Sequence, residues 1–160
     1  MKILFPLLII LVSVFCYAQD LKCVSDSPYY MPKFSANWFR ATEYCNSLGM
    51  RLAVITNKEA NTRAILALET EEKKLNTSLT EVWLGGSDLA TEGEFYWQPT
   101  GTKFEYSFWM IGEPNNENVE NCLQFRYRAS DGWGWNDKNC SLERVFMCEN
   151  TEPKRVVVVF

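Results

Sequence analysis

The chain has no histidine among its 160 residues. That absence excludes His-based catalytic triads, zinc sites with imidazole ligands and imidazole acid–base chemistry. It has no Cys-x-x-Cys pair either, so neither a thiolate metal site nor a dithiol redox motif is expected. The one long apolar run, Ile3 to Phe15, is broken by Pro6 and is too short to span a bilayer comfortably. Bases do not outnumber acids: 16 Lys and Arg face 20 Asp and Glu, a net charge of −4. A nucleic-acid backbone demands a basic face, so nucleic acid is not an expected partner. Internal repeats and low-complexity tracts are also absent.

What is present begins with a leader. Lys2, the apolar stretch and Cys16-Tyr17-Ala18 together form a secretory signal, with cleavage expected after Ala18. The mature chain then carries 15 bases and 20 acids, a net charge of −5, which suits cation binding. Its length suffices for one domain. Five cysteines remain: 23, 45, 122, 140 and 148. An oxidising extracellular compartment should let four pair internally, leaving one over.

Periodicity divides the chain into a helical first half and a strand-and-turn second half. Ser25 to Lys33 reads as a short strand and turn. Trp38, Ala41, Cys45 and Leu48 recur at three- and four-residue steps, predicting a helix over Ser35–Leu48 that Ser35 or Asn37 caps and Gly49 ends. After the apolar run Leu52–Ile55, Thr56-Asn57-Lys58-Glu59 forms a capping-box pattern opening a second helix through about Leu68. Glu69–Thr80 is read as an exposed helix end and loop. It contains Asn76-Thr77-Ser78, a glycosylation sequon expected to be used at Asn76. A second sequon, Asn139-Cys140-Ser141, is expected to stay bare beside a cysteine. Val82–Gly85, Phe95–Trp97, Cys122–Tyr127 and Val145–Cys148 are strand candidates. The tail Lys154–Phe160 is assigned no function.

Between Gly101 and Asn121 there is little regular pattern, and a structureless stretch that long in a compact domain is usually functional or disordered. Phe108, Trp109 and Ile111 favour an ordered, functional loop. Here lies Glu113-Pro114-Asn115, followed by Glu120 before Cys122 and by Trp135-Asn136-Asp137 before Cys140. Three carboxylates (Glu113, Glu120, Asp137) and two amides (Asn115, Asn136) form an all-oxygen donor set. Such a set suits a hard cation, above all Ca²⁺. Taken alone, the Pro–Asn segment is an ordinary turn signal. The tryptophans are expected in the core, and Lys138 is expected to be solvated.

These motifs, taken in order with the Cys45 helix, Val82-Trp83-Leu84-Gly85-Gly86 and the last four cysteines, resemble the C-type lectin-like domain family over about Pro28–Glu149. The resemblance implies an α+β fold: two helices flanking small antiparallel sheets, with a long ligand-binding loop. The domain is placed at 28–150, between an N-terminal segment 19–27 holding Cys23 and a tail 151–160. It implies the disulfides Cys45–Cys148 and Cys122–Cys140, and a cis bond before Pro114. It implies Ca²⁺ held by Glu113, Asn115, Glu120, Asn136 and Asp137, with the same five residues engaging two vicinal hydroxyls of a sugar. The Glu-Pro-Asn order looks like the mannose, N-acetylglucosamine and fucose type. Glycans of that type on microbial or cell surfaces are therefore the expected partners, with innate recognition as the implied role. An auxiliary Ca²⁺ site maps to Asp88, Glu92, Asn116, Glu120 and Asn121. Asn116 and Asn121 stand where relatives place aspartates, which should weaken that site.

Cys23 is the unpaired cysteine under this pairing, either a free or capped thiol or the link of a disulfide dimer. Two further readings stand beside the sugar-binding one. A lectin-like domain can use the same face on a protein or glycoprotein partner without sugar. A glycosidase would need paired acids such as Glu113 and Glu120, but a bound ion would remove their acid role, so no enzymatic activity is expected.

Overall fold

A computed structural model describes residues 27–151. The leader, Cys23 and the apolar tail lie outside these described residues. The order is β1 (Tyr29–Tyr30), α1 (Trp38–Ser47), β2 (Met50–Leu52), α2 (Lys58–Leu75), β3 (Glu81–Ser87), β4 (Tyr96–Trp97), β5 (Thr102–Lys103), β6 (Cys122–Arg128), β7 (Gly132–Lys138), β8 (Val145–Phe146) and β9 (Cys148–Asn150). β9 lies between β1 and β2 in one small antiparallel sheet. A second sheet runs β5-β4-β3-β6-β7, with β8 parallel to β3. Among the described residues the architecture is α+β with two helices, as expected. Among the described residues no helix is long and apolar enough to cross a membrane.

α1 forms where predicted because Trp38, Ala41 and Cys45 present one apolar face to the core. Asn37, not Ser35, caps it, its side chain accepting the Arg40 N–H at 2.9 Å. Leu48 departs from the predicted face: it is the C-cap and is exposed, because the helix stops there and Gly49 turns the chain away at φ +70°. α2 starts at Asn57, which accepts the Ala60 N–H at 2.8 Å. The helix continues to Leu75 rather than stopping near Leu68. The extension carries strong helix formers and a Glu71–Lys74 pair, and Asn76 ends it in the left-handed conformation.

Two apolar clusters fill the interior. One joins Ala60, Ala64 and Leu68 of α2 to Leu84, Trp97, Leu123, Phe125, Trp135 and Met147. The other gathers α1, Leu52, Trp83 and Phe146 around four cysteines. Those cysteines form the disulfides Cys45–Cys148 and Cys122–Cys140. Trp38 Nε1 donates to Leu84 O at 2.8 Å, tying α1 to β3. Trp83, Trp97 and Trp135 are buried as expected, whereas Trp109 and Trp133 are only partly so.

β7 was not among the strand candidates, yet it pairs with β6 over seven residues, from Cys122↔Lys138 to Arg128↔Gly132. In Gly-Trp-Gly-Trp-Asn-Asp-Lys the two glycines, Asn, Asp and Lys offset the two strand-favouring tryptophans, so β-propensity does not mark it. β7 also holds the long loop. Met110 N–H donates to Trp135 O at 2.9 Å and Trp135 N–H to Phe108 O at 2.7 Å. Gly134 permits this approach: a Cβ there would lie 2.4 Å from Met110 Cγ.

Candidate functional site

The site is assembled from the loop carrying residues 113–120 and the facing end of β7. Glu113–Pro114 is a cis peptide bond, and Glu113 N–H donates to Met110 O at 3.0 Å, so the motif starts from the segment that Gly134 admits. Asp137 is the anchor. Its Oδ1 accepts the Asn115 N–H at 3.1 Å and its Oδ2 accepts the Asn116 N–H at 2.8 Å. Asn115 Oδ1 accepts Glu117 N–H at 2.8 Å, and Asn116 Oδ1 accepts Glu120 N–H at 3.0 Å. These side chains fold the loop on itself, as short amide and carboxylate side chains do in turns. Asn116, Asn118 and Val119 all take positive φ within it.

The structure thus brings Asn115 and Asn136 directly to Asp137 through hydrogen bonds. Asp137 and Asn136 are buried, and the side chains of Glu113 and Glu120 are 2% and 5% exposed. Each glutamate meets a cation. Arg128 Nη2 donates to Glu113 Oε1 at 2.9 Å, and Lys138 Nζ donates to Glu120 Oε1. Arg126 Nη1 donates to Asn136 Oδ1 at 3.4 Å, and Asn136 Nδ2 donates to Asp137 O. Lys138 is therefore not the solvated lysine expected from sequence. Its side chain is only 25% exposed because Glu120 draws it inward. Sequence spacing alone does not reveal Arg126 and Arg128 as site residues. Their i, i+2 spacing on β6, opposite Gly134 and Gly132 of β7, is the signal that could have found them, once β7 is known to be a strand.

Burial pushes the Glu113 carboxyl above its ordinary range, Asp137 adds to that, and the Arg128 guanidinium works against it. The auxiliary residues also converge. Asp88 is buried; its Oδ2 accepts Gly93 N–H at 2.8 Å, and its N–H donates to Asn121 O at 3.2 Å. Desolvation raises the Asp88 pKa. Glu92 is raised too, by desolvation and then by Asp88 and Asp137.

Four oxygens of the two sets are buried without a hydrogen-bond partner: Glu113 Oε2, Glu120 Oε2, Asp88 Oδ1 and Asn121 Oδ1. Leaving such an atom unmatched costs free energy. A hard divalent cation is the species for which carboxylate and amide oxygens of this kind are donors, so the residues fit Ca²⁺. The set is mixed: among the described residues no three Asp, Glu, His or Cys side chains by themselves group closely enough to hold an ion.

Comparison with known proteins bears on the domain as a whole. The model of the C-type lectin domain matches residues 34–150. The chain is 38% identical over 135 residues to C-type lectin 16 of Aedes aegypti, covering 82% of this chain and 87% of that one. It is 37% identical over 138 residues to salivary C-type lectin 1 of Aedes albopictus, covering 82% and 88%. Its fold is similar to that of the C-type lectin domain of murine dendritic cell inhibitory receptor 2, solved in complex with N-glycan. That likeness has a TM-score of 0.58 at 27% identity and covers 75% and 87% of the two chains.

Proposed function

This chain belongs to the C-type lectin domain family, and on that premise we propose that it is a secreted, calcium-dependent lectin for glycans of the mannose, N-acetylglucosamine or fucose type. The observation that carries the reading is the pair of buried, unpartnered carboxylate oxygens, Glu113 Oε2 and Glu120 Oε2, at the two ends of the loop segment that Asp137 clasps through Asn115 and Asn116. When bound, Ca²⁺ supplies coordination positions that two vicinal sugar hydroxyl oxygens complete. Glu113 and Glu120 would accept hydrogen bonds from the hydroxyl groups, while the amide groups of Asn115 and Asn136 would donate to the hydroxyl oxygens. Asp137 holds the loop through two backbone N–H groups, so the acceptors are ordered before ligand arrives.

The reading extends to a weaker auxiliary ion at Asp88, Glu92, Asn116, Glu120 and Asn121, to glycosylation at Asn76 and to recognition of microbial surfaces. Single-sugar affinity in the millimolar range corresponds to about −4.1 kcal/mol, so useful avidity requires several sites. No catalytic step is assigned, because an ion held by the two glutamates would remove their acid role.

One observation favours a second reading. Arg128 and Lys138 already neutralise the two glutamates, which suits a face that binds a protein partner without calcium. Binding of the mature protein to mannan-agarose in millimolar calcium, then in excess EDTA, separates the two. Retention released by EDTA or free mannose is expected. No retention on mannan or on a parallel galactose matrix would transfer the assignment to the protein-binding reading.

A further inference from the structure

Arg128 and Lys138 stand at opposite ends of the β6–β7 ladder, paired in register with Gly132 and Cys122. From there each reaches one of the two glutamates proposed to hold calcium: Arg128 takes Glu113 Oε1 and Lys138 takes Glu120 Oε1. These are not ordinary surface pairs. The glutamate side chains are almost fully buried, and the Arg128 and Lys138 side chains are 31% and 25% exposed. In each carboxylate one oxygen is bound to the cation and the other has no partner. A divalent ion drawn to either free oxygen would therefore arrive beside the cation already bound to the same carboxylate, in a poorly screened setting.

We infer that Arg128 and Lys138 are internal counter-ions of this site, and that calcium binds by displacing both from Glu113 and Glu120. The inference rests on the calcium reading above. The two cations differ in how they yield. Lys138 has a flexible stem and a path to solvent, so it can swing away. Arg128 also donates to Ile111 O at 3.5 Å, so moving it disturbs the loop that carries Glu113. Both set the calcium affinity in the same direction. Removing either cation leaves a buried glutamate uncompensated when calcium is absent, and removes like-charge repulsion when calcium is present. Affinity is thereby held below what the donor set alone would reach, while the calcium-free protein keeps its carboxylates matched.

Calorimetric titration of calcium into the mature protein tests this without any sugar, using wild type, Lys138→Met, Arg128→Met and the charge-keeping Lys138→Arg. The two Met variants should bind calcium on the order of tenfold more tightly, the direction that lost repulsion dictates. Their thermal midpoints in EDTA should fall, and calcium should raise them by more than it raises wild type. Lys138→Arg should stay near wild type. Wild-type binding with unchanged or weaker affinity in both Met variants would overturn the displacement mechanism while leaving the calcium reading intact. No calcium uptake by any of the four proteins would overturn both. The thermal midpoints show whether each variant is folded when titrated.

Discussion

The Asp137 carboxylate accepts the backbone N–H of Asn116 at 2.8 Å, across 21 residues of sequence. A predicted metal ligand is thus also the clasp of the loop that supplies the other ligands. Asp137→Asn keeps the volume but loses the charge and one of the two acceptors. Hydrogen bonds to a charged group are worth about 1.5–3 kcal/mol each. We expect this variant to lose roughly that much stability in EDTA by urea denaturation, and to lose calcium-dependent retention. Undiminished stability in EDTA would show that Asp137 serves the ion alone.

Acidification should separate the two states of the site. The Glu113 pKa is raised from the ordinary 4.5, chiefly by burial. A carboxyl raised on folding contributes stability fully present below its unfolded value and lost as pH rises through its folded value. In EDTA, lowering the pH from neutral into the window at and above 4.5 should therefore raise the contribution of this group to stability. Calcium requires the ionised form, so retention on mannan should fall in that same window. The paired measurement is the thermal midpoint in EDTA and column retention in calcium, both against pH. Retention that persists well below the ordinary carboxylate range would contradict the assignment.

Gly134→Ala places a methyl group 2.4 Å from Met110 Cγ, with the Met110 backbone behind it. Overpacking of this kind costs about 1–3 kcal/mol. Because Met110 O accepts the Glu113 N–H, calcium affinity should drop along with stability, although Gly134 touches no ligand. Calorimetry and denaturation on the same variant would show whether the two losses travel together.

Val119 is β-branched, 69% exposed and held at φ +66°. The left-handed region costs an L-residue roughly 1–2 kcal/mol, and asparagine tolerates it better. Val119→Asn should raise stability by about 1 kcal/mol, read as a shift of the urea midpoint at constant slope.

The two disulfides should differ in what their loss does. Cys45–Cys148 spans 103 residues and Cys122–Cys140 spans 18. Chain entropy assigns about 4.7 kcal/mol to a loop near 100 residues and about 3 to one near 15. Replacing the first pair by alanine should cost more stability. Replacing the second should cost calcium affinity disproportionately, since Cys122 and Cys140 flank Glu120 and Asp137. Denaturation and calcium titration of the two double variants check the contrast.

The helices were legible because their cause is local. Trp38, Ala41 and Cys45 fall on one face by spacing alone, and Asn57 lies inside a capping pattern. The outer turns of α2 were less legible: with little burial beyond Leu68, only helix propensity and a single ion pair extend it to Leu75. β7 is not legible locally because Gly134 and Asn136 disfavour a strand and the segment owes its extended form to pairing with Gln124–Tyr127.

The site divides in the same way. The sequence by itself determined the chemistry: oxygen donors of two kinds, no histidine and no redox pair, because donor type belongs to each residue wherever it sits. It determined the family as well, because several motifs recur in one order. Only the tertiary structure decided how those donors are charged and held. Asp137 reaches Asn115 and Asn116, Arg128 reaches Glu113, and Lys138 reaches Glu120, through a strand register and a close approach at Gly134. Those partners are fixed by packing between distant segments, and no local spacing encodes them.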